Sequence, residues 1–294
     1  MSLHVGTAGF SYKDWEGIVY PADLKRKKIH PLEYLAQFLD ACEINTSFYG
    51  HIRPNVGRDW CRKTGAVNRD FVFSAKLYQG FTHCARGTKP PSPFDLKVDP
   101  EEEKLAREGL DSIAEEGKLA AVLMQFPISF KNADDTRDYL FNLISRFREY
   151  PLVLEIRHSS WNDPDLLARL AEQGVGFCNI DQPRLGASLR ATEHVTSPVA
   201  YVRLHGRNYK EWFQADNRND RYNYLYKPPE LKLWMEKIRS VAERSEKTLA
   251  ITNNHYKGQA AVNALELKSM LSGAKVKAPE TLVKAYKDLE EFVD

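Results

Sequence analysis

Ionisable and amide side chains recur in this sequence directly after short apolar runs. Lys76 follows residues 71–75, Gln125 follows 120–124, Glu155 with Arg157 and His158 follows 152–154, and Asp181 follows 176–180. Arg203 with His205 closes the run at 200–204, Asn253-Asn254-His255 follows 248–252, Glu43 and Asn45 end an earlier run, and Gly6-Thr7 ends the first. Burying these groups without partners would cost a few kcal/mol each. They must therefore meet in a hydrogen-bonded, partly hydrated cluster. Such a cluster is either a reaction site or a network tying strand ends together, in which Arg157 and Arg203 neutralise Glu43, Glu155 and Asp181.

As a reaction site, the cluster offers Glu155 as its proton-transfer group. Its apolar setting would raise the carboxyl pKa and the nearby Arg157 would lower it. Asp181 or Glu43 is the candidate second member of an acid/base pair. Lys76 either pairs with a carboxylate or, if desolvated, has an amine suited to imine chemistry. Asn45, Tyr49, His83, Gln125, Arg157, His158 and Trp161 are candidate substrate contacts. The segments 203–207 and 253–258 supply donors and flexible glycines where barrels often hold an anion, which assigns Arg203, His205, Asn253 and Asn254 to binding; the other reading is loops pinned by their own hydrogen bonds. His83, His158, His205 and His255 raise a mixed His and carboxylate metal site. They lack His-Glu-x-x-His spacing, so no metal ligand is assigned, and no motif names a cofactor. Aromatic and basic residues alternate at 209–213 and 221–224, a pattern for stacking bases or sugar rings, with Trp15 and Trp161 adding to the wall, or for folding the loop onto the protein.

The apolar runs fall at 4–7, 41–45, 71–76, 120–125, 152–156, 176–180, 200–204 and 248–252. Several are apolar throughout, as in Ala120-Ala121-Val122-Leu123-Met124, which suits parallel strands covered on both faces. Leu32, Leu35, Phe38 and Leu39 repeat at helical spacing, as do Leu140, Leu143, Ile144 and Phe147, and Leu166, Leu167 and Leu170. Eight strand-and-crossover units predict an α/β protein, a closed (β/α)8 TIM-type barrel spanning 1–294 as one domain. An open doubly wound sheet is set aside because no Gly-x-Gly-x-x-Gly or Walker A pattern follows a strand. The polar residues then stand at the C-terminal mouth, where barrel enzymes place their chemistry. The long connections 79–100 and 206–229 are expected as lids or substrate walls there, and 280–293 as an additional outer helix.

Of the 294 residues, 43% are hydrophobic and 28% charged, enough apolar material for a large core and a poor match to disorder. The 42 basic and 40 acidic side chains leave a net charge of +2, so a general polyanion binder is excluded. The densest basic run, Lys25, Arg26, Lys27 and Lys28, is a solvated face or a local nucleic-acid patch. No apolar stretch reaches the ~18 residues of a membrane span, and the first residues lack a signal-peptide pattern. Cys42, Cys61, Cys84 and Cys178 show no Cys-x-x-Cys spacing, so reduced thiols and a cytoplasmic location are expected.

Seven blocks carry a family resemblance: Gly6-Thr7-Ala8-Gly9-Phe10-Ser11-Tyr12, Glu43-Ile44-Asn45-Thr46-Ser47-Phe48-Tyr49, Phe73-Ser74-Ala75-Lys76, Gln125-Phe126-Pro127, Glu155-Ile156-Arg157-His158-Ser159-Ser160-Trp161, Tyr201-Val202-Arg203-Leu204-His205-Gly206, and Asn253-Asn254 followed by Gly258, Ala260 and Asn263. In this order they resemble the YecE-like proteins that carry domain of unknown function seventy-two, over almost the whole chain. Ala8 and Phe10 stand where that family often shows Ser and Trp. The resemblance implies a TIM-type barrel and brings with it no activity, substrate or cofactor.

These observations predict an enzyme acting on a small phosphorylated or nucleotide-like anion, by hydrolysis or other acid/base chemistry. Glu155 would transfer the proton, Lys76 and Arg157 balance charge, and Arg203, His205 and Asn254 hold the anion. Two alternatives stand beside it. One is a non-catalytic nucleic-acid-binding barrel using Lys25–Lys28 and the Tyr/Arg-rich loop, and the other an imine-forming lyase centred on Lys76.

Overall fold

Eight strands, β1 Ser2–Ala8, β2 Ala41–Ile44, β3 Val72–Lys76, β4 Leu119–Gln125, β5 Leu152–Glu155, β6 Gly176–Asp181, β7 Val199–Leu204 and β8 Lys247–Thr252, each lie on one of the eight apolar runs. In this computed structural model, which describes residues 1–83, 97–184, 186–209 and 221–294, they pair in parallel and in chain order and close into a barrel. The seam is continuous: β1 pairs with β8 from Ser2↔Lys247 to Thr7↔Thr252. Burial on both faces explains the apolar runs, since one set of side chains fills the barrel and the other packs under helices.

Around the strands lie α1 Pro31–Leu35, α2 Thr46–Tyr49, α3 Pro54–Val67, α4 Pro100–Ala114, α5 Asp134–Arg146, α6 Pro164–Glu172, α7 Pro228–Ala242, α8 Gln259–Ser272 and α9 Glu280–Ala285. Proline opens α1, α3, α4, α6 and α7, in the first turn, where a missing N–H breaks no intrahelical bond. Asp99 and Asp163 cap α4 and α6 by accepting hydrogen bonds from backbone N–H groups of the first turn. No helix is described between β6 and β7. No helix among the described residues is long and apolar enough to cross a membrane.

The expected helix at 280–293 is two pieces. Tyr286 leaves helical geometry (φ −130°, ψ 83°), and a 3-10 turn, Lys287–Glu291, follows α9. The break lets Leu282, Leu289 and Val293 all bury, and it allows Val293 to bridge Val276. This segment also braces the mouth: the Tyr286 hydroxyl donates to Lys257 O at 2.8 Å, and Asp14 accepts from Lys257 N at 2.6 Å. Trp15 is fully buried, with its indole N–H donating to His255 O at 2.7 Å. It is a packing residue that ties the β1 loop to the β8 loop and forms no part of a stacking wall.

Gly6 marks the closest approach in the barrel. A Cβ there would lie 2.0 Å from Ala41 O, in the backbone of the neighbouring strand. Gly6→Ala is therefore expected to lower stability by about 3 kcal/mol, the upper end of over-packing costs; a denaturation midpoint equal to that of the unchanged protein would show that β1 and β2 separate without cost.

Candidate functional site

Residues two apart on a strand share a face, and contacts across the barrel identify the inward face. The Tyr201 hydroxyl on β7 donates to Glu43 Oε2 on β2 at 2.8 Å and lies 2.6 Å from Ser74 Oγ on β3. Strand β7 neighbours neither β2 nor β3, so the bonds run through the interior. The phenol proton goes to the carboxylate, so Ser74 donates to the phenol oxygen. One step further along β7, Arg203 occupies the centre. Its Nη2 donates to Glu43 Oε1 at 2.6 Å, while its Nη1 bonds Glu155 Oε2 and reaches Gln125 Oε1 at 3.3 Å. Arg157 adds two bonds to Glu155 Oε1, from Nε at 3.1 Å and Nη2 at 3.0 Å. His205 completes the group, with Nε2 3.2 Å from Glu155 Oε1 but not aligned for a hydrogen bond. Its Nδ1 accepts from Asn253 Nδ2 at 2.9 Å, which leaves the ring proton on Nε2.

This geometry settles the direction that sequence left open for Glu155. Burial opposes its charge, but Arg203, His205 and Arg157 outweigh burial and hold the carboxyl well below its ordinary range. Glu155 is fully buried and saturated with cationic partners, so it is a fixed anion and is not placed to exchange protons with a bound molecule. Arg203, only 1% exposed and engaged by two carboxylates, is the matching fixed cation, so its expected role of holding a substrate anion is not supported. Burial drives the His205 ring down to about 3, and it stays neutral at physiological pH.

Lys76 is the exception. It is buried at the C-terminal end of β3, 8% exposed, yet it forms no ion pair among the described residues. The expected pairing with a carboxylate fails because Arg203, Tyr201 and Arg157 already occupy Glu43 and Glu155. The amine instead rests 3.9 Å from the centre of the Phe48 ring. Burial, followed by the charge of Arg203, lowers it to about 7, against the pull of Glu43 and Glu155. A cavity of about 10 Å³ beside it, lined in part by Ser47, His51 and Tyr78, has room for about one water. His83 packs edge-on against the same Phe48 ring at 5.0 Å, bonds Thr82 through Nδ1 at 2.9 Å, and is lowered by burial to about 4.

Other candidates lie apart from this centre. Asp181 belongs to a second cluster, in which its Oδ2 accepts from Arg207 Nε and from the Tyr226 hydroxyl, both at 2.7 Å; burial nevertheless raises its carboxyl. Arg207 continues to Glu230 at 2.9 Å. Asn254 faces outward, donating to Tyr224 O at 2.8 Å and Asn263 Oδ1 at 2.7 Å, so it pins the loop before α7 and does not hold an anion. His158 accepts Ser160 N at 3.1 Å and caps the short turn Ser159–Trp161. Trp161 is buried, with its indole N–H on Phe130 O at 2.7 Å, and is packing. Asn45 reaches the Tyr12 hydroxyl at 3.5 Å, and Tyr49 is 66% exposed at the end of α2. His255 stacks on Tyr12 at 4.2 Å. No group of three or more His, Cys, Asp or Glu among the described residues could hold a metal ion.

The tips of both long connections, including most of the aromatic-basic stretch 209–213, lie outside the described residues. Within them, Tyr222 packs against the His255 ring at 4.7 Å and Tyr224 edge-on against Tyr226 at 5.0 Å, as loop-folding contacts. Tyr201, Ser74, Phe48, Tyr226 and Asn263 were not named as site residues from sequence. The alternation Tyr201-Arg203-His205 and Ser74-Lys76 carried the signal for two of them.

The sequence pattern of the family described as "Protein of unknown function DUF72" matches residues 4–285. The chain is 28% identical over 282 residues to the UPF0759 protein YunF of Bacillus subtilis (strain 168), covering 92% of this chain and 94% of that one. A DUF72 family protein from Thermotoga maritima MSB8 superposes with a TM-score of 0.75 at 33% identity, over 92% of this chain and all of the other. Another, from Enterococcus faecalis V583, gives 0.77 at 25% identity, over 92% and 95%.

Removing one partner of the buried ionic group is expected to be costly. Glu155→Gln should lose about 3–5 kcal/mol in chemical denaturation, and Tyr201→Phe about 1–2 kcal/mol; values near zero would mean that the ion pairs are not made in solution. The acid limb of the stability curve tests His205. The unfolded chain takes up a proton near 6.5, which the folded ring refuses until about 3, so stability falls as pH drops through that window. His205→Asn should flatten the decline between those values, and an unchanged slope would assign the acid sensitivity elsewhere.

Proposed function

Because the chain belongs to the DUF72 family, in which no specific activity is established, we propose a function from its own geometry: an enzyme acting on a small anionic molecule by acid/base chemistry at the C-terminal mouth of the barrel. Hydrolysis of a phosphoester or nucleotide-like compound is one reaction of this class. The observation that carries the reading is the placement of Lys76, an amine at the mouth with no carboxylate partner among the described residues.

An acid/base catalyst works best when its pKa lies near the working pH. Lys76, lowered to about 7, meets that condition, and Glu155, held ionised, does not. The proton-transfer role expected of Glu155 therefore passes to Lys76. The preference for an anion follows from charge. The charged groups that act most on Lys76 among the described residues are Arg203, Glu43, Glu155 and Arg157, two of each sign, so protonated Lys76 adds one positive charge to a group that is otherwise balanced. A bound anion supplies the counter-charge. Arg157, 14% exposed along its side chain, stands at the rim of the cluster. Cytoplasmic action is part of the proposal, in keeping with the buried free thiols of Cys42, Cys61 and Cys178.

The nucleic-acid reading finds less support. Lys25 pairs with Glu16, and Arg26 and Lys27 share Asp23, at 3.4 and 3.0 Å, so two carboxylates offset half of the four-residue basic run on its own surface.

Competitive acylation with acetic anhydride, followed residue by residue by mass spectrometry, tests the proposal. Lys76 should acylate with a midpoint near pH 7, and added inorganic phosphate should raise that midpoint. A midpoint at the ordinary lysine value, indifferent to phosphate, would remove Lys76 and the anion together.

A further inference from the structure

We infer that Lys76 forms a covalent imine with a small carbonyl compound bearing an acidic group. The inference rests on the reading of the mouth as a reaction site with Lys76 as its reactive amine, and it names the substrate class for that site.

A lysine kept only for charge balance is expected against a carboxylate. Here both neighbouring carboxylates are already engaged, Glu43 by Arg203 and Tyr201 and Glu155 by Arg203 and Arg157. One side of the amine rests on the Phe48 ring, Ser47, His51 and Tyr78 line the small cavity beside Lys76, and the charged groups that act on it are fixed in place. Glu43 acts on it from β2, Glu155 from β5, Arg157 from just beyond β5 and Arg203 from β7, while His83 follows on the chain after β3. Desolvation and adjacent cations are the two means by which a lysine keeps its lone pair at neutral pH, and both act on Lys76. The nucleophile is therefore held ready at the end of a strand and its approach to an electrophile is not blocked by a salt bridge.

The step balances without an oxidant or reductant. The Nζ lone pair attacks the carbonyl carbon, a C–N bond forms, and the carbonyl π pair moves to oxygen, which takes a proton. Loss of that oxygen as water leaves the C=N bond, so amine and carbonyl give imine and one water. The protonated imine carries the same charge as the ammonium it replaces. It fits the same surroundings, the aromatic face of Phe48 and the fixed glutamates. The acidic group of the substrate supplies the counter-charge that the cluster lacks.

Incubating the intact protein with glyoxylate, pyruvate or dihydroxyacetone phosphate and sodium borohydride tests this. Reduction should fix an adduct on Lys76 whose mass gain is that of the probe less one oxygen atom. It should appear at neutral pH with at least one probe, well ahead of labelling at surface lysines. No adduct with any of the three, or labelling of Lys76 no faster than of surface lysines, overturns the inference. The acylation measurement separates the two failures. Lys76 that acylates readily at pH 7 but takes no carbonyl refutes the imine and retains the acid/base reading. Lys76 that behaves as an ordinary lysine in both removes both. The readouts use the unaltered protein, so they do not depend on whether a Lys76 variant folds.

Discussion

A guanidinium buried in the middle of a barrel is the constraint on which the rest of this structure depends. Arg203 reaches from β7 to Glu43 on β2 and to Glu155 on β5, and with its counterions it spans the interior. Desolvating an ion is expensive, so each member is tolerable only while the others are in place. The planar fork of Arg203 fixes the direction of both carboxylates, which a lysine's single ammonium would not do. Tyr201, Ser74, Arg157 and Gln125 add further hydrogen bonds to the group, while Arg203 Nε and His205 Nε2 stay buried without one. The result is a rigid polar floor beneath the mouth, held by mutual need among its parts more than by any net gain in stability.

Against that floor, Lys76 is the one ionisable group of the inner cluster whose charge is not fixed by a partner among the described residues. Its setting is aromatic on one side and electrostatically balanced on the other. A reaction site needs groups that hold position and a group that can change state. The ionic cluster provides the first and Lys76 the second.

Fold was far more legible in the sequence than site chemistry. Parallel strands buried on both faces announce themselves as apolar runs, and a polar residue closing such a run stands at the mouth by construction. Position along a strand does not say which way a side chain points or what it meets across the barrel. Asn253 and Asn254 are neighbours, yet Asn253 meets His205 inside and Asn254 ties down the loop outside. Period-two alternation would have divided them, and would have added Tyr201 to Arg203 and His205. The ionisation of Glu155 depends on a contact with a residue 48 positions away, which no local pattern carries. The break at Tyr286 was hidden because Leu282, Leu289 and Val293 fit a helical repeat, while the packing of Val293 beside Val276 requires the chain to turn.

The seam between β1 and β8 carries a consequence for the order in which the protein is made. Six residues of β1 pair with the last strand, β8, and Trp15 buries its indole on a carbonyl 240 positions later. During synthesis one edge of β1 thus cannot be satisfied until β8 has been made. An exposed strand edge is a template for unwanted pairing, and contacts this distant in sequence form slowly. The barrel therefore cannot close before β8 is made, and the ionic floor, drawing on β2, β5 and β7, cannot be completed before β7 is made.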